Sequence, residues 1–374
     1  MRVTYVKKDP FGFRQNINEH NLNAQDIEDI AEVFHTPLTG AYNWDYTEAD
    51  NRIKRLYELG KSLNWNGSED LDWSSTFSKT EYATRADAVS FIGYPPYEAF
   101  SEEEKIEFSW HQLAQSLSNF LHGEQGALLV ASQLVSCAPT YNAKLYAASQ
   151  AFDEARHVEV FNRYLHTKVG IMYPCTSSLK LLLDKVLTDE RWDLKFIGMQ
   201  IIIEGLALAA FNGMKQSAAD PLLRQLVDLV LRDEARHVTF GINYLEDFVK
   251  TLTAQEREDR AQFALEACIV MRNRLIPTGV MERYGWDIKE ARAHFEESQG
   301  RMRFRNLLFT RVMPNLKRIG LLTDAVRPEY EKLGLLEYEQ NPDDGIIDWE
   351  QLNEPLDYQG EMEKKIDTSP QQTA

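Results

Sequence analysis

Cysteine is scarce in this chain of 374 residues. Its three cysteines, Cys137, Cys175 and Cys268, are widely spaced and form no CxxC pair, which argues against a disulfide framework or a zinc knuckle. The sequence also lacks a GxGxxG run and a ferredoxin set of cysteines, so no nicotinamide-binding fold or iron–sulfur cluster is predicted. Any electrons that the protein uses must therefore come from an external partner.

Positive charge is also in deficit, because 41 basic side chains face 58 acidic ones and the net charge is −17. This charge repels nucleic-acid phosphates and anionic lipid headgroups, so we expect no nucleic-acid or membrane partner. The first ten residues contain no apolar core of a secretory signal, and we expect a cytoplasmic protein. The most apolar stretch, residues 194–214, carries Lys195 and Glu204, which favours a buried helix over a membrane span.

Strand signals are almost absent, whereas apolar residues recur at helical spacing from Ser101 onward. We predict an all-α protein in three parts: a wrapping arm with short helices over residues 1–100, a helical domain over 101–320, and an acidic tail over 321–374. Residues 337–374 hold eleven acidic and two basic side chains, which predicts a solvated or loosely docked segment. The long helices are expected at 101–137, 141–167, 192–214 and 221–251, with shorter ones at 177–189, 254–275, 288–297 and 301–319.

A hexapeptide repeat carries the chemistry. Asp-Glu-Ala-Arg-His-Val occurs at residues 153–158 and again at 233–238, an offset of 80. Glu and His stand three apart in each copy, so on a helix both project from one face and can bind the same ion. Glu124 and Glu204 show the same offset, and each lies on the helix before one copy of the motif.

The spacing of these residues from the predicted turns places them at one depth. In each half the two glutamates stand fifteen residues on either side of a turn, at Pro139 in one half and Ala219 in the other. At about 1.5 Å per residue, both lie roughly 20 Å from the turn of an antiparallel hairpin. Two such hairpins packed together bring six candidate metal ligands to one point: Glu124, Glu154, His157, Glu204, Glu234 and His237.

Four buried carboxylates require compensating charge, which two divalent or trivalent cations can supply. A Glu from each of two helices and Glu-x-x-His from each of two others is the ligand scheme of ferritin-like di-iron and di-manganese proteins. Oxygen and nitrogen ligands without thiolate favour iron or manganese over zinc. We predict two iron ions as the cofactor, with a Mn/Fe pair as the alternative.

Other residues of the repeat are predicted to support the ligands. A metal-bound imidazole needs an acceptor for its second N–H, and the aspartate before each ligand glutamate can supply it, crosswise between the two copies. The arginine of each motif would pair with these aspartates, or else form surface salt bridges. These supporting residues are Asp153, Asp233, Arg156 and Arg236. The apolar run 205–211 indicates either a cavity beside the metals or ordinary core packing.

The stretch Asp233-Glu-Ala-Arg-His-Val-Thr-Phe-Gly241 and the thirty-residue gap from Glu124 to Glu154 resemble the large subunits of bacterial multicomponent monooxygenases, the toluene, phenol and methane hydroxylases. The resemblance covers residues 124–245. It implies a ferritin-like four-helix bundle of two antiparallel hairpins with additional N- and C-terminal helices. It also implies a carboxylate-bridged di-iron centre, held by the six residues above, that activates dioxygen with electrons from a reductase.

Departures from this family leave other members of the superfamily open. Leu208 stands where the hydroxylases have an active-site threonine, and the chain is shorter than their subunits. Phe161 stands where the ribonucleotide reductase small subunit has its radical tyrosine. Acyl-carrier-protein desaturases resemble the chain in length, but their first ligand gap is usually wider. We predict that Leu208, Phe211 and Phe161 line the substrate pocket.

The sequence therefore predicts an oxidoreductase that uses O2 to hydroxylate, N-oxygenate or desaturate a small, largely apolar organic substrate. Its expected partners are an external reductase or ferredoxin and, by analogy, a second copy of the chain in a homodimer. The alternatives are a ferroxidase or iron-handling protein, a desaturase-like or ribonucleotide-reductase-like oxidase, and a non-catalytic scaffold. The scaffold is disfavoured because all six ligands are present.

Overall fold

Helices dominate the computed structural model, which describes residues 4–5, 33–47, 51–85, 91–274, 276–297 and 306–348. Within these ranges, the strands are the two-residue β1 (Thr4–Tyr5) and β2 (Ile171–Met172), which pair in parallel. The predicted all-α class is confirmed. The helices are α1 (Arg52–Ser62), α2 (Pro95–Glu98), α3 (Glu102–Cys137), α4 (Tyr141–Tyr164), α5 (Ser177–Thr188), α6 (Trp192–Ser217), α7 (Pro221–Val249), α8 (Ala254–Arg274), α9 (Thr278–Arg283), α10 (Ile288–Glu297), α11 (Val312–Arg318) and α12 (Arg327–Lys332).

Four long helices form two hairpins. Helix α3 packs along α4 in the first hairpin and α6 packs along α7 in the second, and the hairpins meet both between α4 and α7 and between α3 and α6. Local signals set the helix starts: Ser101 forms a capping box with Glu104 before α3, Thr140 caps α4, and Asp220 caps α7 just before Pro221. The turns therefore fall where the ligand spacing predicts them.

Helix α6 is irregular where it approaches the centre of the bundle. Its residues Ile197–Ile203 adopt a π-helical path, and the regular α-helix resumes at Glu204. Helix α4 also ends in a π turn, Leu165–Val169. A π segment adds a residue to a helical turn and is common at functional sites. In α6 it lies directly before one of the candidate metal ligands.

Helix α6 is also the described helix that is long and apolar enough to cross a membrane. Its apolar window is, however, 89% buried inside the protein. Helices α3, α5, α7 and α8 surround it, as the buried-helix prediction requires.

The described segments before and after the bundle pack on it more closely than their composition indicates. Helix α1, capped by Asn51, lies against α4 and α7. At the other end, Asp344 is buried and accepts hydrogen bonds from Arg311 and from Asn315. Residues 321–348 therefore dock on the bundle, and their acidic character alone did not predict it. Residues 6–32 of the predicted wrapping arm lie outside the described residues, as do residues 349–374 of the predicted tail.

Candidate metal centre

The two hairpins bring all six predicted ligands together inside the bundle. Helices α3 and α6 supply one glutamate each, and α4 and α7 each supply a Glu-x-x-His pair. One oxygen or nitrogen from each residue fits within 4.8 Å in two groups of four. The first position is formed by Glu124, Glu154, His157 and Glu234, and the second position by Glu154, Glu204, Glu234 and His237. Because Glu154 and Glu234 belong to both groups, their carboxylates can bridge two ions.

Each imidazole points its Nδ1 atom at the carboxylates. His157 Nδ1 lies 3.1 Å from Glu124 Oε2 and 3.2 Å from Glu234 Oε1. His237 Nδ1 lies 3.1 Å from Glu154 Oε1. Nδ1 is therefore the ring nitrogen available to a metal in both histidines, and Nε2 faces away from the ligands.

The Nε2 atoms meet the predicted aspartates in the crosswise arrangement. His157 Nε2 lies 3.1 Å from Asp233 Oδ2, and His237 Nε2 lies 3.2 Å from Asp153 Oδ2. Each aspartate belongs to the opposite hairpin from the histidine that it contacts. A carboxylate on Nε2 fixes the ring tautomer with Nδ1 unprotonated, as metal binding requires.

The two arginines of the repeat close this network in the interior. Arg156 Nη2 donates to Asp153 and Asp233, at 2.6 and 2.7 Å. Arg236 Nη2 donates to the same two carboxylates, at 3.0 and 2.5 Å. Both guanidinium groups are buried, so the alternative of surface salt bridges is wrong for these residues.

The site offers both the unpaired ligand atoms and the negative charge that two cations would need. Buried atoms without a hydrogen-bond partner include one oxygen each of Glu154 and Glu204, both oxygens of Glu234, and His237 Nδ1. Four glutamates and two aspartates against two arginines leave four negative charges when the imidazoles are neutral. Leaving such groups uncompensated in the interior is costly, and two divalent cations would balance them.

The protonation of the site shows the same demand for positive charge. Burial, together with the nearby Glu234 carboxylate, raises the pKa of Glu124 and of Glu204 well above the usual range. Burial opposes the charged form of His157, yet the carboxylates around it, Asp233 foremost, raise its pKa overall. Without metal the site therefore holds protons, and cations must displace them as they bind.

Three further residues, which were not predicted, belong to the hydrogen-bond network around the ligands. Gln150 Nε2 donates to Glu204 Oε1 at 2.9 Å, and Gln200 donates to Gln150. Trp65 Nε1 donates to Asp233 Oδ2 at 2.7 Å. Gln150 stands one helical turn before Glu154, so helical spacing could have revealed it. Trp65 precedes its partner by 168 residues, and no local signal links them.

A narrow cavity of about 50 Å³ opens beside the carboxylates. Three ligand glutamates face it, and the rest of its lining is apolar: Phe120, Gly123, Ala127, Ile203, Leu206, Ala207, Ala210, Met271 and Leu308. Among the predicted pocket residues, Phe161 and Phe211 pack against Phe120, with ring centroids 5.9 and 4.6 Å away. Leu208 is buried but is not part of this lining. The substrate role of these three residues stays a prediction.

Known proteins with similar sequences include Uncharacterized protein Rv0885 of Mycobacterium tuberculosis and Uncharacterized protein Mb0909 of Mycobacterium bovis. Each is 24% identical to the chain over 225 residues, which cover 57% of this chain and 65% of the relative. Similar solved structures include an R2-like ligand-binding oxidase with an anaerobically reconstituted Mn/Fe cofactor. That structure is 16% identical, with 73% of this chain and 94% of the oxidase covered and a TM-score of 0.46. The chain thus spans just under two thirds of the length of these curated relatives.

A family model described as p-aminobenzoate N-oxygenase AurF matches residues 46–320. The match includes all six candidate ligands, the supporting aspartates and arginines, and Trp65. The expected membership in the ferritin-like di-metal carboxylate proteins holds, but the particular family differs from the multicomponent hydroxylases. The stretch 233–241 and the Glu124–Glu154 gap, which suggested those hydroxylases, consist mainly of ligands, their supports and their spacing, which the wider superfamily shares. This chain belongs to the family of the p-aminobenzoate N-oxygenase AurF.

Proposed function

We propose that this protein is a di-iron oxygenase that transfers an oxygen atom to the nitrogen of a small aromatic amine. One atom of dioxygen enters an N–H bond to give a hydroxylamine, and the other leaves as water with two electrons and two protons from outside. The observation that carries the proposal is the buried set of six ligands within a region that matches an N-oxygenase family. The electrons come from an external reductase or ferredoxin.

Iron is the proposed metal at both positions. The donors are carboxylate oxygens and imidazole nitrogens without thiolate, which suit iron or manganese. When bound, a pair of iron ions supplies the electron transfer to dioxygen that no side chain of this protein can perform. A Mn/Fe pair is the alternative.

The cavity lining indicates what kind of amine can bind. Apart from the three ligand glutamates, every lining residue is apolar, and the lining contains no Lys or Arg. A carboxylate on the substrate would enter this space with no cation to pair with, at a cost of several kcal/mol. We therefore propose an amine without an acidic group, in contrast to p-aminobenzoate itself.

The protein would hold such an amine by its N–H groups. Glu124, Glu204 and Glu234 face the cavity, and carboxylate oxygens accept N–H hydrogen bonds. A cavity of about 50 Å³ holds only a few waters, so an aromatic ring must displace side chains to enter. Met271 and Phe120 are placed for this, and an unbranched Met can change its rotamer readily. The apolar lining then excludes water from the reacting nitrogen.

The test is oxygen consumption and product analysis with iron-loaded protein and a chemical reductant. We expect aniline to give phenylhydroxylamine and 4-aminobenzoate to react at least tenfold more slowly. Glu154→Ala should abolish product, whereas Glu159→Ala, an exposed position on the same helix, should retain it. Hydroxylation at carbon would contradict N-oxygenation, and rapid iron oxidation without organic product would favour the iron-handling alternative. The homodimer and the cytoplasmic location stay predictions.

A further inference from the structure

The two halves of the ligand set differ in the residues behind them. Gln150 and Gln200 are fully buried beside the second position. At the offset of 80 residues that relates the ligands, Gln150 corresponds to Val230 and Gln200 corresponds to Phe120. One carboxamide from each hairpin thus lies beside the second position, whereas the two corresponding residues, Val230 and Phe120, are apolar.

The carboxamides form a hydrogen-bonded chain that ends on the ligands. Gln200 Nε2 donates to Gln150 Oε1 at 3.3 Å. Gln150 Nε2 in turn donates to Glu204 Oε1 at 2.9 Å and to Glu154 Oε1 at 3.2 Å. Gln150 must turn its NH2 group toward Glu154 and Glu204, because an ionised carboxylate accepts hydrogen bonds and cannot donate them.

A glycine in the second hairpin leaves space for these hydrogen-bonded carboxamides. A Cβ atom on Gly241 would lie 2.5 Å from Gln200 Cβ, closer than real side chains approach. The residue that corresponds to Gly241 in the first hairpin is Phe161, which packs on Phe120 with ring centroids 5.9 Å apart. Hence an aromatic contact in one half corresponds to a Gln–Gly contact in the other.

This difference restricts how Glu204 can bind a metal. Its Oε1 atom is held by Gln150, and its buried Oε2 atom has no hydrogen-bond partner. Glu204 is therefore presented to the second position through one oxygen in a fixed orientation. Its counterpart Glu124 contacts the imidazole of His157, although both glutamates face the cavity.

We propose that Gln150, anchored by Gln200, is a positioning residue that gives the second position a higher metal affinity than the first. The physical reason is that a ligand held in its binding orientation loses less freedom when the metal arrives. The inference rests on the proposed dinuclear site. It predicts that the two ions bind in two separate steps.

The test is anaerobic titration of metal-free protein with Co(II), followed by calorimetry and by cobalt absorption. The wild type should bind two Co(II) ions with different affinities. Gln150→Met should weaken the tighter step about 10- to 100-fold and leave the weaker step unchanged. The matched control is Gln133→Met, which removes another buried carboxamide that donates to Leu187 O at 3.2 Å, away from the ligands. It should preserve both steps.

Equal weakening of both steps, or no change in either, would overturn the role of Gln150 while leaving the dinuclear site intact. A wild type that binds no Co(II) would instead overturn the proposed function together with this inference. Circular dichroism of the metal-free variants shows whether each one folds. If Gln150→Met does not fold, Gln200→Met carries the test: a smaller, equally selective loss supports the proposal, and unchanged affinities contradict it.

Discussion

The two hairpins present the same ligands on helices of different regularity. In the first hairpin, Glu124 lies within α3, an uninterrupted helix of 36 residues. In the second, Glu204 directly follows the π segment Ile197–Ile203 of α6. The repeat therefore fixes which groups meet, while the surrounding helices decide how each group is held. Four perturbations can break or sharpen this comparison.

The largest effect is expected at the two carboxylates that belong to both metal positions. Glu154 and Glu234 take part in both metal positions, so Glu154→Ala or Glu234→Ala should remove both ions. Glu124→Ala and Glu204→Ala should each remove one of the four ligands from a single position and leave the other position complete. Metal content after anaerobic iron loading measures the difference. Equal loss in all four variants would mean that the positions are not separable.

A smaller loss is expected from the aspartates that orient the imidazoles. Asp233 accepts hydrogen bonds from Trp65 as well as from both arginines, whereas no tryptophan of the described residues bonds to Asp153. Asp233→Asn should cost about 3–5 kcal/mol of unfolding free energy, because it leaves buried guanidinium groups short of charge.

Asp153→Asn should cost less than Asp233→Asn by about 1 kcal/mol, the usual net value of one hydrogen bond. Urea unfolding of the metal-free variants tests the order. Asp228→Asn on the same helix is the control, since Asp228 forms partly exposed ion pairs and should change stability by at most about 1 kcal/mol. The reverse order of the two aspartates would contradict the asymmetry.

A third comparison concerns two helical glycines. Gly241→Ala places a methyl group against Gln200 and should destabilise the protein by about 1–3 kcal/mol. Gly123→Ala meets nothing within 4 Å and should stabilise helix α3 by up to about 1 kcal/mol. Thermal unfolding of the two variants measures both effects. A neutral Gly241→Ala would show that the Gln200 backbone has room to move.

The last perturbation is a change of pH in the first hairpin. Burial, with a contribution from Arg283, lowers the pKa of His111 from 6.5 to about 4. The unfolded chain therefore binds this proton first, so the stabilising contribution is complete above pH 6.5 and is lost as the pH falls towards 4. His111→Gln should remove about 1–3 kcal/mol of this acid sensitivity.

Urea unfolding at pH 7 and pH 5 measures it, and the exposed His35→Gln is the control. Because the ligands also titrate, the relevant quantity is the difference between variant and wild type at each pH. An identical pH response in His111→Gln and wild type would contradict the assignment.

Sequence alone predicted the parts of this molecule that depend on periodicity. The equal distances from Glu124 and Glu154 to Pro139 gave the depth of the ligands, because a helix has a fixed rise per residue. The predicted starts of the long helices at residues 101 and 221 agree with the structure, in which Ser101 and Asp220 cap these helices.

Contacts between distant segments were not predictable in the same way. Nothing near Trp65 indicates a bond to Asp233, and nothing near Asp344 indicates that Arg311 and Asn315 bury it. The acidic composition of the tail favoured a solvated segment. Composition alone does not show which distant side chains pair with the acidic residues. The family, likewise, was not resolved by the stretch 233–241 and the ligand spacing, because these consist mainly of ligands and their supports.

The crosswise bonds between Asp153 and His237, and between Asp233 and His157, have a consequence for the origin of the site. Neither hairpin contains both an imidazole and the carboxylate that orients it. A solitary ancestral hairpin could have built this centre only by pairing with a second copy of itself. The present chain has the ligand arrangement of such a two-fold related pair within one polypeptide, with different residues around the ligands in its two halves.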